Sequence, residues 1–143
     1  EDYRIEEKDI QRIKQQNATE STKFLDILST LYSVTEIFEF AQRLTSKDVL
    51  GNTIEILIEL GDVTGRELFF WDSFSRWLNR NYICTFRDEN ILVKRILSKE
   101  ELITKSAENA LGACMEIFKN FNWSSPPEQV FAGDQKKFLE KRL

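Results

Sequence analysis

The chain has 143 residues, of which 41% are hydrophobic and 31% are charged, and its formal net charge at pH 7 is -4. This composition suits one domain with its own apolar core, and the near balance of charges argues against a protein whose whole surface binds polyanions. The sequence contains no histidine, which excludes Ser-His and Cys-His catalytic pairs and the commonest zinc sites.

The two cysteines, Cys84 and Cys114, are too few for the disulfide framework of a small secreted protein. We interpret both as reduced thiols in apolar surroundings and predict an intracellular protein, cytoplasmic or nuclear. Glycosylation triplets at Asn17 and Asn122 leave a secreted protein as the alternative. No apolar run reaches the roughly 18 residues of a membrane span. Because the chain begins with Glu1, we expect a processed chain or a fragment of a longer protein.

Apolar residues recur at intervals of three and four, and glycine and proline are scarce, a pattern typical of α-helices. We therefore predict an all-α single domain of roughly six to eight helices, either an irregular helical bundle or a short armadillo-like or HEAT-like helical stack. The predicted parts are a loosely packed N-terminal helix over residues 1–18, a helical core over 19–121, a Pro-containing turn over 122–127 and a C-terminal helix over 128–143.

Capping boxes predict where the helices of the core begin. In such a box a Ser or Thr side chain accepts a backbone N–H, and an acidic residue three positions later reaches back. Boxes begin at Ser33, Thr45, Thr64 and Ser98. The helix after Thr45 is predicted to end at Gly61 and to be the central one, because its apolar side chains cover an arc of roughly 200°. An aromatic helix is predicted over residues 65–82, another over 86–97, and a long one from Ser98 to about Phe121.

Residues 25–35, LDILSTLYSVT, match residues 54–64, IEILIELGDVT, at five positions and at an offset of 29. This offset falls within the range of stacked helical repeats. Residues 89–102 offer a weaker third copy. Two interpretations stay open, namely a true repeat, or a bundle whose helix ends use the same capping chemistry.

Residues 25–81 contain, in order, Leu-x-x-Leu, Val-Thr, LGNTIEIL and RWLNRN. In this order they resemble the N-terminal domains of transcription elongation factors. The resemblance covers this part of the chain only and assigns no functional residue.

Paired carboxylates are the only enzymatic option. Glu55 and Glu59 would lie one turn apart on the predicted central helix, but helical di-metal carboxylate proteins also use histidine. The sequence also contains no glycine-rich phosphate loop. We predict no catalytic residue, no cofactor and no metal, and hence no enzyme.

Apolar surface gives the stronger functional signal. Phe69 lies off the apolar stripe of the predicted aromatic helix, and Trp123 lies beside two prolines. Aromatic anchors of this kind are enriched at the centres of interfaces. We predict a protein-protein interaction module that binds an apolar helix or peptide in a groove between helices, with Phe69 and Trp123 as anchors and with Glu55, Glu59 and Asp62 as an acidic rim.

The C-terminal helix carries the densest basic cluster, which would contact a polyanion or an acidic partner. The cluster consists of Lys136, Lys137, Lys141 and Arg142. One alternative function is therefore a nucleic-acid-associated domain that uses this helix. The other is a secreted helical ligand or virulence factor, glycosylated at Asn17 and Asn122. Oligomeric state is left open.

Overall fold

The computed structural model describes residues 7, 8, 11, 19–71, 76, 78–85 and 87–141. Within them the protein forms three helices and four strands. In chain order these are β1 (Lys23–Asp26), α1 (Ile27–Ser46), β2 (Thr53–Leu60), β3 (Arg66–Phe69), β4 (Ile91–Ser98), α2 (Lys99–Lys119) and α3 (Glu128–Lys141). The prediction of an all-α bundle or helical stack is therefore wrong, because the fold is α/β with two small sheets.

The largest error lies at β2, which was predicted to be the central helix. Ile54, Ile56 and Ile58 are buried, whereas the residues between them are exposed. This alternation is the period of a strand, and isoleucine favours strands. The apolar Leu57 lies on the exposed face and fills a gap of the alternation, which widened the apolar arc toward that of a helix.

The two sheets each contain two strands. β2 and β4 are antiparallel, with Thr53 opposite Ser98 and Leu60 opposite Ile91. β1 and β3 are parallel, and Leu25 lies opposite Leu68. The predicted helix over residues 86–97 is therefore wrong at β4, and the predicted aromatic helix is wrong at β3.

The repeat interpretation is also wrong. Residues 25–35 end β1 and begin α1, whereas residues 54–64 form β2 and the turn after it. Matched residues thus adopt different secondary structures and cannot be copies of one unit. The capping box at Ser33 is unused, since α1 begins earlier, where the carboxylate of Asp26 accepts the N–H of Ser29 at 3.0 Å.

The C-terminal half follows the sequence more closely. Ser98 caps α2 as predicted, and its hydroxyl oxygen accepts the N–H of Glu101 at 3.1 Å. The helix ends at Lys119, near the predicted end, and α3 begins directly after Pro127. The predicted N-terminal helix over residues 1–18 lies outside the described residues, apart from three helical positions at 7, 8 and 11.

One apolar core joins the helices to the inner face of the β2–β4 sheet. Each fully buried side chain of this size contributes roughly 1.5–3 kcal/mol relative to an exposed one. The largest in this core are Phe38, Phe118, Phe121, Phe131, Ile27, Leu31, Leu68, Leu102 and Ile117. This core fixes α1 beside β2. None of the helices in the described part of the chain is both long and apolar enough to cross a membrane.

Candidate peptide-binding groove

A groove with a volume of about 380 Å³ lies between α1 and β2. Its helix side consists of Ile37, Phe40, Ala41 and Leu44, and its other side consists of Leu50, Gly51 and residues 53–57. Consecutive residues of β2 point to opposite faces of the sheet. Because five consecutive residues of the strand line the groove, the groove follows the edge of β2 rather than one of its faces.

Large apolar side chains around this groove are open to water. Phe40 is 61% exposed, Leu57 is 57% exposed and Ile37 is 41% exposed. Ile37 and Phe40 are three residues apart and therefore lie on one side of α1. A cluster of exposed apolar side chains from two elements marks an interaction site, whereas single ones are ordinary. The sequence analysis did not single out Phe40. Its position off the apolar stripe of its own helix, the criterion applied to Phe69, was the signal that could have identified it.

The backbone of β2 adds hydrogen-bonding groups to the groove. Beyond the strand ends, the Lys99 N–H donates to the Asn52 carbonyl at 2.9 Å and continues the ladder. In an antiparallel pair, alternate residues bond to the neighbouring strand. Ile54, Ile56 and Ile58 therefore bond to β4, and the N–H and C=O groups of the residues between them point away from it. Within residues 19–71, 78–85 and 87–141, no backbone group pairs with that side of β2.

The predicted acidic rim is only partly at this groove. Glu55 lines it, with its carboxylate 3.6 Å from the Lys94 amine. Glu59 lies further along the same exposed side of β2 and accepts a hydrogen bond from Asn90 at 2.9 Å. Asp62 lies beyond the strand and forms an ion pair with Lys23 at 2.8 Å.

Ionic contacts perturb Asp62. The hydrogen bond from Lys23, reinforced by the charges of Lys23 and Arg66, lowers the pKa of the Asp62 carboxyl. Its carboxylate is thus engaged with its own chain. Among the described residues, no group of three or more Cys, Asp or Glu side chains is placed to hold a metal ion.

The two predicted anchors lie in the interior. Phe69 is 1% exposed, and its ring contacts the Phe24 ring edge-on at 5.7 Å between centroids. Trp123 is 8% exposed and stacks on Tyr82 at 4.6 Å. Trp123 also lines a groove of about 660 Å³, together with Phe70 and Phe131. Phe69 was misplaced because a helical period was applied to β3, a strand in which Glu67, Leu68 and Phe69 are all buried.

The described residues of the basic cluster lie on α3, near acidic residues. Lys136, Lys137 and Lys141 are exposed on α3, whereas Arg142 lies outside the described residues. Lys136 shares a second groove, of about 530 Å³, with Arg43, Glu39 and Glu140. Mixed charges of this kind weaken the attraction for a polyanion.

The cysteines and Asn122 bear on the secreted alternative. Cys84 and Cys114 are free and buried, and burial raises the pKa of Cys114 to about 12. The Asn122 side chain donates to the Ile83 carbonyl at 2.8 Å and to the Thr85 hydroxyl at 3.3 Å. A glycan on this nitrogen would remove one of the two donated protons. The structure therefore gives the secreted alternative no support at Asn122, while Asn17 lies outside the described residues.

The chain matches no model of a known protein family, no curated protein and no solved structure. The resemblance of residues 25–81 to transcription elongation factors thus gains no support. The groove has to be interpreted from its own geometry.

Proposed function

We propose that this protein is a non-enzymatic interaction module that binds an apolar peptide segment of a partner protein in the groove between α1 and β2. The observation that carries the proposal is the exposure of Phe40, Leu57 and Ile37 around one groove. The earlier expectation of an inter-helix groove is replaced by one between a helix and a strand edge. The non-enzymatic role rests on the absence of histidine from the sequence.

Energetics limit the strength of such binding. Phe40, Leu57 and Ile37 are only 41–61% exposed, so burying their exposed parts contributes on the order of 2–5 kcal/mol. Association costs about 4–15 kcal/mol in lost freedom of motion. Apolar contacts of these side chains alone therefore give very weak binding, with a dissociation constant above millimolar. A tighter complex needs further contacts, which the partner has to make with the polar groups of the groove.

An intracellular setting is part of the proposal. The free, buried state of Cys84 and Cys114 supports it, because reducing compartments keep thiols unpaired. The partner would then be an intracellular protein that presents the peptide segment.

Selection from a displayed library of random peptides tests the proposal. Enriched peptides are synthesised with a fluorophore, and their affinities are measured by fluorescence anisotropy for the wild type, Phe40→Glu and Val130→Glu. Val130 is the matched control, because it is 53% exposed on α3 and does not line the groove. Circular dichroism verifies that each variant is folded.

We expect affinity to fall at least about tenfold in Phe40→Glu, which corresponds to about 1.4 kcal/mol, and to stay unchanged in Val130→Glu. Failure to enrich any peptide would overturn the proposal. So would peptides that bind Phe40→Glu as well as they bind the wild type.

A further inference from the structure

We infer that the groove takes its partner as an added β-strand, and that this strand carries basic side chains on one face and aliphatic side chains on the other. The inference rests on the proposed function and names its class of partner, an extended basic and apolar peptide. It is carried by the open backbone edge of β2, the apolar wall of α1 and the carboxylates beside Leu57.

The edge of β2 that faces away from β4 carries backbone groups to which an added strand can bond. The N–H and C=O groups of Glu55, Leu57 and Glu59 point away from β4, by the alternation of the ladder. An extended peptide that pairs with these groups gains backbone hydrogen bonds along the edge of β2, from the groove at Glu55 and Leu57 to Glu59 beyond it. Proteins usually cover or block such edges, because open ones attract other strands.

On the opposite edge of the sheet, one backbone group is occupied by a side chain. On β4 the Lys94 carbonyl accepts a hydrogen bond from the Arg95 guanidinium at 3.0 Å. The same guanidinium donates to the Glu116 carboxylate on α2 at 3.2 Å, which holds it in place. Within the described residues, β2 has no comparable side chain across its edge.

Charge selects the sequence of the added strand. Glu55 and Glu59 lie on the exposed face of β2, on either side of Leu57. Residues of an added strand lie about 5 Å from their cross-strand neighbours, so that opposite charges attract and like charges repel. The best partner therefore places Lys or Arg opposite both carboxylates.

The other face of the added strand meets α1. Residues that alternate with the basic ones point toward the core side of the sheet, where Phe40 and Ile37 form the wall of the groove. Aliphatic side chains at these positions bury that wall. The resulting pattern is basic, aliphatic, any residue, aliphatic, basic.

A second copy of the chain fits this edge poorly. Antiparallel pairing of two β2 strands centred on Leu57 would place Glu55 of each copy opposite Glu59 of the other. Pairing centred on Ile56 would bring the two Glu55 carboxylates close on the diagonal. Both arrangements oppose like charges and favour a different, basic partner.

The test uses fluorescent peptides with the core sequence Lys-Val-Thr-Val-Lys and the matched sequence Glu-Val-Thr-Val-Glu. We take the added strand as antiparallel to β2, with Thr opposite Leu57, so that the Thr amide faces β2 and the Val amides face away. We expect the basic peptide to bind at least about tenfold more tightly than the acidic one, with the difference reduced at high salt. We also expect N-methylation of Thr to abolish binding, and N-methylation of either Val to leave it within a few-fold.

Proline variants of the protein test the same hydrogen bonds by removing a backbone N–H from β2 rather than from the peptide. Leu57→Pro removes one N–H that points into the groove, without loss of a bond to β4. The matched control, Ile96→Pro, makes the same change at a residue of β4 that is 60% exposed and whose N–H points away from β2. We expect the peptide to bind the control and not Leu57→Pro, with both folded by circular dichroism.

The outcomes separate the inference from the proposed function. In one outcome, peptide binding is lost in Phe40→Glu but is unchanged by N-methylation and by the exchange of Lys for Glu in the peptide. This outcome would overturn strand addition and leave the groove as the binding site. Binding that needs the Thr amide but survives Phe40→Glu would support strand addition and overturn the apolar groove. Library peptides that bind while the basic peptide does not would overturn the inference alone.

Discussion

The side-chain amide of Gln135 on α3 donates a hydrogen bond to the hydroxyl of Thr35 on α1, at 3.1 Å. The same nitrogen donates to the Ala107 carbonyl on α2 at 2.9 Å, and the Thr35 hydroxyl donates to the Leu31 carbonyl at 2.7 Å. Gln135 and Thr35 are both buried. One amide group thus joins α1, α2 and α3, with both of its protons used.

Gln135→Glu should destabilise the protein in a pH-dependent way. The new carboxylate would lie buried against two acceptor oxygens, which raises its pKa above the ordinary value of a glutamate. A raised carboxyl pKa in the folded state makes stability fall as pH rises through the unfolded-state value. We expect a loss of about 3 kcal/mol at pH 7 and a smaller loss at pH 4. Urea unfolding at pH 7 and pH 4 measures this difference in stability. Gln135→Leu is the uncharged control. Equal losses of stability in Gln135→Glu and Gln135→Leu would contradict the role of the buried charge.

Removing only Arg76 from its ion pair with the buried Asp134 should lower the stability of the protein. The guanidinium donates two hydrogen bonds to this carboxylate. Arg76→Leu leaves a buried carboxylate without that partner, and we expect it to lower the free energy of unfolding by about 3 kcal/mol. Adding Asp134→Asn removes the charge and should restore part of the loss. A double variant that is less stable than Arg76→Leu would show that the buried charge is not the cause.

Lysine substitutions at two adjacent residues of β2 should have very different effects on stability. Ile56→Lys buries an unpaired charge in the core and should cost at least about 3 kcal/mol. Leu57→Lys changes an exposed position and should stay within about 0.5 kcal/mol of the wild type. Thermal and urea unfolding of the two variants measure this contrast. Similar losses at both positions would be inconsistent with the strand alternation.

The lowered pKa of Asp62 predicts a small contribution to stability that depends on pH. The contribution is present above the unfolded-state pKa and is lost as pH falls through the folded-state pKa. In Lys23→Ala the pKa should rise toward the reference value of 3.8, because the largest cause of the shift is removed. NMR titration of the side-chain carboxyl, repeated at high salt, measures the shift. An unchanged pKa in Lys23→Ala would exclude this ion pair in solution.

The buried cysteines should be inert in the folded protein. Since burial raises the pKa of Cys114 to about 12, almost no thiolate is present at pH 8. We expect the native protein not to react with a thiol reagent on the timescale that labels a small free thiol, and two thiols to react in denaturant. Rapid labelling of native protein would contradict the burial of these residues.

Local chemistry determined what the sequence could reveal by itself. The Ser98–Glu101 box placed the start of α2, because capping depends on residues within one turn. The absence of histidine and the balance of charges likewise followed from composition alone. From these features came the expectation of a non-enzymatic binding domain, which stays a prediction.

Tertiary structure decided the strands and the groove. Residues 53–60 and 91–98 have apolar side chains on both faces, so that their spacing fits a helix as well as a strand. Their pairing depends on hydrogen bonds between distant parts of the chain, which outweigh local helical preference. Phe40 and Leu57 belong to one surface only because the core holds α1 beside the edge of β2.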